Sequence, residues 1–167
     1  VRLLLVLIGV FCLPLAAIAA EWTPYANARF GFAVEIPPGF ALVREADNGD
    51  GRSYANGEAR LAVWGHTLAE GDFKEDVAER RATYAREGWD LSYDRQTAGW
   101  ASLSGTRGTS ILYHRAIALC EGAAASFVLE YPDTMKAEIS PLVGRLVKSL
   151  RPAQGCTNAQ GAAPAAQ

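Results

Sequence analysis

His66 and His114 are the two histidines of this 167-residue chain. Paired with Ser102, Ser104 or Ser110, either could serve as the general base of a serine hydrolase, whose imidazole must take the hydroxyl proton. The local patterns do not favour that chemistry. Ser104-Gly105 lacks the preceding glycine of a nucleophile elbow. No HExxH, Walker loop, CxxC or strand-following GxGxxG occurs. His114 falls in an apolar-rich strand pattern, with Leu112 and Ala116 on its face and Tyr113 on the other, which suits a structural histidine. No catalytic residue is therefore assigned, and a weak hydrolase using His114 stands only as an alternative.

Glu45, Asp47, Asn48 and Asp50 crowd one loop and raise the question of a cation. Gly49 occupies a place where an EF-hand needs a side-chain ligand. Asp47-Asn48-Gly49-Asp50-Gly51 reads instead as a tight hairpin turn, because Asn-Gly and Asp-Gly favour turns on backbone grounds alone. A small-ligand or cation-binding module built on this loop is the other alternative. No metal or cofactor is expected. Trp22, Trp64, Trp89 and Trp100 could stack on sugars or peptides, but they are spread over separate elements, where packing is their ordinary role. Trp22 precedes the first strand and is expected to be exposed.

The first twenty residues speak of compartment. Arg2, the apolar run Leu3–Leu15 and the small residues Ala16, Ala17, Ala19 and Ala20 have the order of a secretory signal peptide. The run is too short for a bilayer span. Val1 is read as a non-standard start codon, pointing to a bacterium. Cleavage after Ala19 or Ala20 would remove Cys12 and leave no stable membrane anchor. It would also shift the formal charge from −2 to −3, since Arg2 is the one charged residue lost. A mildly acidic chain lacks the basic field that nucleic acid requires. Cys120 and Cys156 remain, an even pair and a candidate disulfide in an exported chain. The competing reading is a buried Cys120 and an unpaired Cys156.

The elements that must position these residues follow from periodicity. Phe30, Phe32, Val34 and Ile36 alternate as a half-buried strand that Pro37-Pro38 stops. Strands are expected near Phe40–Glu45, Arg52–Ala55 and Ala59–His66. Asp72 with Glu75 reads as a capping box opening a helix that Gly88 closes, with Phe73, Val77 and Tyr84 as its apolar stripe. Further strands are expected at Trp89–Arg95, Trp100–Ser104, Thr109–Leu119 and Ala124–Tyr131, with a break from Gly105 to Gly108. A last helix carries Met135, Ile139, Leu142, Val143, Leu146, Val147 and Leu150 at helical spacing. The order strands, helix, strands, helix implies an α+β domain with an antiparallel sheet. One domain over residues 21–150 is expected, then a disordered Pro-, Gly-, Ala- and Gln-rich tail over 151–167 without periodicity.

The opening Tyr25-x-Asn27-x-Arg29-Phe30-Gly31-Phe32-x-Val34-x-Ile36-Pro37 resembles the first strand of PsbP-like domains. Phe127-x-Leu129-x-Tyr131-Pro132 and Leu146-Val147-Lys148-Ser149-Leu150 are similar to the family's closing strand and helix. That superfamily includes extrinsic subunits of photosystem II, a nuclear-transport factor that binds the GTPase Ran, and exported bacterial proteins of unassigned role. The resemblance implies an antiparallel sheet flanked by helices in an α/β/α sandwich, and a binding rather than catalytic role. No family site residue carries over. The resulting expectation is a periplasmic or secreted, non-enzymatic binding or assembly domain of the bacterial envelope with a protein partner. Trp22, Asn48 and Asp50 are the expected contacts.

Overall fold

A computed structural model describes residues 21–69 and 72–153. The expected signal peptide over residues 1–20, and Cys156 with the rest of the expected tail from residue 154, lie outside the described residues. Ten strands and two long helices are present among the described residues. β1 (Thr23–Asn27) and β2 (Phe32–Ile36) are followed by β3 (Ala41–Glu45), β4 (Gly51–Asn56) and β5 (Ala59–Thr67). Helix α1 (Phe73–Arg86) leads to β6 (Asp90–Gln96), β7 (Trp100–Arg107), β8 (Ser110–Ala118) and β9 (Ala123–Pro132). A short 3-10 turn then opens α2 (Lys136–Ser149), and β10 (Arg151–Pro152) closes the fold.

A seven-stranded sheet in the order β3-β4-β5-β9-β8-β7-β6 forms the centre, antiparallel throughout. A small sheet, β1-β2-β10, shares a layer with α2. The alternation of each strand divides the apolar residues between two faces. Leu61, Val63, Phe127 and Leu129 pack on one side against Phe32, Val34, Ile36, Ile139 and Leu146. On the other side Leu103, Leu112, Ala101, Ala116 and Ala124 meet Phe73, Val77 and Tyr84 of α1. The result is the expected α+β fold with helices on both sheet faces.

Gly65 lets the two sheets approach: a Cβ there would stand 2.5 Å from Phe30. Gly105 has a comparable role and does not break a strand as expected. It stays inside β7, where a Cβ would lie 2.3 Å from the Asp90 carbonyl, and the turn falls at Gly108.

Asp72 caps α1 through bonds from the Lys74 and Glu75 amides, at 2.8 and 3.0 Å. The reciprocal half of the capping box is replaced, because the Asp72 amide donates to the Ala69 carbonyl. Two strands were not legible in sequence. β1 buries Tyr25 and the polar Asn27, which hides its alternation. β10 pairs with β2, and the Ala153 amide bonds Gly31 beyond it, so strand pairing runs past the expected domain end at Leu150.

Candidate functional site

The histidines do not assemble a triad. His114, Leu103 and Val128 share a row of the sheet facing α1, whereas Ser102 and Ser104 pair with Arg115 and Tyr113 on the opposite face. Ser110 lies four residues along β8 from His114, about 13 Å at strand rise. His114 is buried; its Nδ1 shares a 3.2 Å hydrogen bond with the Tyr84 hydroxyl, and its Nε2 has no partner. Burial pushes its pKa down to about 3. The same desolvation pushes the Tyr84 phenol up, so Tyr84 stays protonated. His66 Nε2 meets Asp76 Oδ1 at 2.8 Å, a bond that holds the Asp76 carboxyl below its ordinary range. Among the described residues no hydrogen bond joins either histidine to a serine, and His66 and His114 seat α1 on the sheet.

The turn over residues 47–50 is a fixed feature. Asn27, buried between the sheets, donates through Nδ2 to the Gly49 and Asp50 carbonyls at 2.9 and 3.2 Å, and its Oδ1 accepts from the Phe30 amide. Asn48 Nδ2 donates to Asp50 Oδ2 at 2.6 Å. Arg29 bonds the Asn48 carbonyl and stands 3.0 Å from Asp50 Oδ1, as an ion pair without hydrogen-bond alignment. The carboxylate that a cation would need is thus already held by a guanidinium. Among the described residues no group of three His, Cys, Asp or Glu is arranged for a metal.

Trp22 is separated from this turn. It lies at the other end of β1, about 16 Å away at strand rise, partly buried against the core with Arg145 4.6 Å over its ring. Arginines also cover Trp64 (Arg80, 5.7 Å), Trp89 (Arg107, 4.4 Å) and Trp100 (Arg115, 4.3 Å). Each tryptophan therefore has one ring face occupied by a guanidinium, which disfavours stacking on a sugar.

Two surfaces escaped sequence reading. The edge strand β3 is exposed along its whole length, with Leu42 54% and Val43 66% exposed. A register shift between Leu42 and Arg44 bulges the strand at Val43. No sequence signal marks it, because consecutive apolar residues on a sheet covered on both faces read as a buried strand. The second is a groove of about 330 Å³ between α2 and strands β6 to β9, lined by Ser104, Tyr113, Tyr131, Lys136, Ser140 and Val143 among others. Among the described residues no carboxylate lines it.

The class that this fold defines is a small α+β domain with an antiparallel sheet between helical layers. The chain has the PsbP-like fold. It is similar to cyanobacterial PsbP (CyanoP) from Synechocystis, with a TM-score of 0.59 and 13% identity over 82% of this chain and 95% of that one. It is similar as well to the Ran-binding protein Mog1p of Saccharomyces cerevisiae, with a TM-score of 0.58 and 12% identity over 80% and 96% of the two chains. No family model and no curated protein matches the sequence. Among the described residues no helix is long and apolar enough to cross a membrane.

Proposed function

We propose that this is an exported, non-enzymatic domain of the bacterial envelope that binds a protein partner through the β3 edge and the adjoining 47–50 turn. The observation that carries it is the pair Leu42 and Val43, exposed side by side on a strand whose outer backbone edge has no neighbour among the described residues. Proteins ordinarily blunt such edges with charge or cover them, because they recruit other strands. A partner strand adding here would gain main-chain hydrogen bonds and cover both side chains. Asn27 and Arg29 hold the turn at the end of that strand, which supports Asn48 and Asp50 as contacts in this reading. Trp22 lies apart and drops from the interface. The Ran-binding activity of Mog1p supports a binding role for this fold without naming the partner here.

Val43→Glu should reduce capture of a defined envelope protein by at least about tenfold, roughly 1.4 kcal/mol. Its unfolding free energy should stay within about 0.5 kcal/mol of wild type, as at other exposed sites. Pull-down from periplasmic extract with quantitative mass spectrometry measures the first, and urea unfolding the second. An identical set of captured proteins for both forms would remove β3 from the interface.

Export and the Cys120–Cys156 bridge form part of the same proposal. Cys120 is disulfide-bonded, while Cys156 lies outside the described residues. A bridge closing a loop of this length contributes about 3–4 kcal/mol in the chain-entropy model. Intact mass of the protein from its host should show a chain beginning at Ala20 or Glu21 and two hydrogens lighter than the dithiol. A mass retaining Leu3–Leu15, or two titratable thiols after denaturation, would reject the corresponding half.

A further inference from the structure

Arg115 is the one charged side chain, apart from the uncharged His114 imidazole, among the buried polar residues described. It is 9% exposed, on the sheet face away from α1. Burying a guanidinium is costly unless an anion and hydrogen bonds compensate. Neither compensation is complete. No ion pair among the described residues includes Arg115. Nη1 donates to the buried Ser102 hydroxyl at 2.9 Å, and the head lies 4.3 Å over the Trp100 ring. Nε is buried without a partner, and Nη2 has no bond among the described residues. The Nε–Nη2 side is one of the edges on which a guanidinium grips two oxygens in parallel.

The surroundings repeat the sign. Arg95, Ser102 and Arg115 form one cross-strand row, so all three share this face. Arg95 is exposed, sits 5.9 Å over the Tyr93 ring, and has no ion pair among the described residues. Outside the described residues the sequence carries a single acidic side chain, Glu70. Burial lowers the Arg115 pKa from its very high ordinary value, a further sign of an uncompensated charge.

We infer that Arg115 anchors a binding site for a small solute bearing an oxyanion, carboxylate or phosphate, which takes the Nε–Nη2 edge while Ser102 holds Nη1. The depth of the guanidinium selects a small group over a folded surface. The site lies across the sheet from the β3 edge, with β4, β5 and β9 between that edge and β8, and does not depend on the partner-binding reading.

The test is a side-chain NMR titration of the full mature chain with sodium phosphate and, separately, sodium acetate, at ionic strength held constant with chloride. The Arg115 Nε–H signal, assigned by its absence in Arg115→Lys, should shift saturably with at least one anion. The Arg86 Nε–H signal on α1 should not move. Response to phosphate alone identifies a phosphate-bearing ligand, and response to acetate alone a carboxylate. At ten times Kd the anion should raise the melting temperature by about 3–6 °C, an effect about tenfold weaker in affinity for Arg115→Lys, which keeps the charge and loses the fork. Arg115→Met should melt higher than wild type in chloride and ignore both anions. No saturable shift of Arg115 with either anion, or an undiminished thermal response in Arg115→Met, would overturn the site.

Discussion

Lowering the pH from 7 to 5 should cost the protein about 2 kcal/mol of unfolding free energy through His114 alone. Its folded pKa is held near 3 by burial, against about 6.5 in an unfolded chain. Between those values the unfolded state binds one more proton than the folded state. Stability therefore falls as pH falls, starting near 6.5, with a limiting slope of about 1.4 kcal/mol per pH unit. The packed groups explain the resistance to protonation. The Trp64 ring lies 6.1 Å from His114, Tyr84 presents its hydroxyl, and the Arg80 charge on α1 opposes a second positive charge more than Asp76 favours one. Asp76 acts in a separate window. Its depressed pKa contributes stability above its unfolded value of about 3.9, lost only as pH falls below that. Urea unfolding at pH 7 and pH 5, on wild type and His114→Gln, isolates the effect. The variant should lose most of the pH dependence; equal losses in both proteins would mean that His114 is not the proton acceptor.

Leu146→Ala should destabilise the protein by about 2–5 kcal/mol, the range for truncating a buried leucine. Leu146 and Ile139 are 0% exposed on the inner face of α2. They meet Phe32, Val34 and Ile36 of β2 and the central strands, so the truncation opens a cavity bounded by two sheets. Collapse into that cavity is resisted by polar ties. Ser149 Oγ accepts from the Glu35 amide at 3.0 Å and donates to the Leu146 carbonyl at 2.9 Å, and Arg145 bonds Glu35 at 2.7 Å. Leu142 and Val147, half-buried on the same helix, should cost less when truncated. A Leu146→Ala change below about 0.5 kcal/mol, the size of a surface effect, would show that α2 does not seat as described.

Periodicity carried much of the fold. The stripe Phe73, Val77 and Tyr84, the spacing of Ile139 and Leu146, and the alternation of Phe32, Val34 and Ile36 each placed the buried face correctly. Such patterns are local, and burial of one face is what produces them. β1 and Gly105 were misread for the complementary reason. Asn27 is polar yet buried because its amide satisfies carbonyls twenty-two and twenty-three residues away, and Gly105 is needed by a neighbouring strand's backbone. Neither demand leaves a mark within a window of ten residues.

The functional surfaces divide in the same way. Sequence by itself determined the export-like N-terminus, the α+β class, the resemblance to PsbP-like domains and the turn at Asn48–Asp50. All of these depend on composition or on neighbours in the chain. Only the tertiary structure decided that Ser102 and Ser104 face away from His114, that Trp22 stands apart from the turn, and that β3 ends the sheet. It also decided that Arg115 is buried with no ion pair among the described residues. In a seven-stranded antiparallel sheet, parity assigns a side chain to one of two faces, but strand order decides what lies beside it and what is left at the edge. Strand order is set by the packing of distant segments, here β5 against β9 across an intervening helix and three strands, and no local run of residues encodes it.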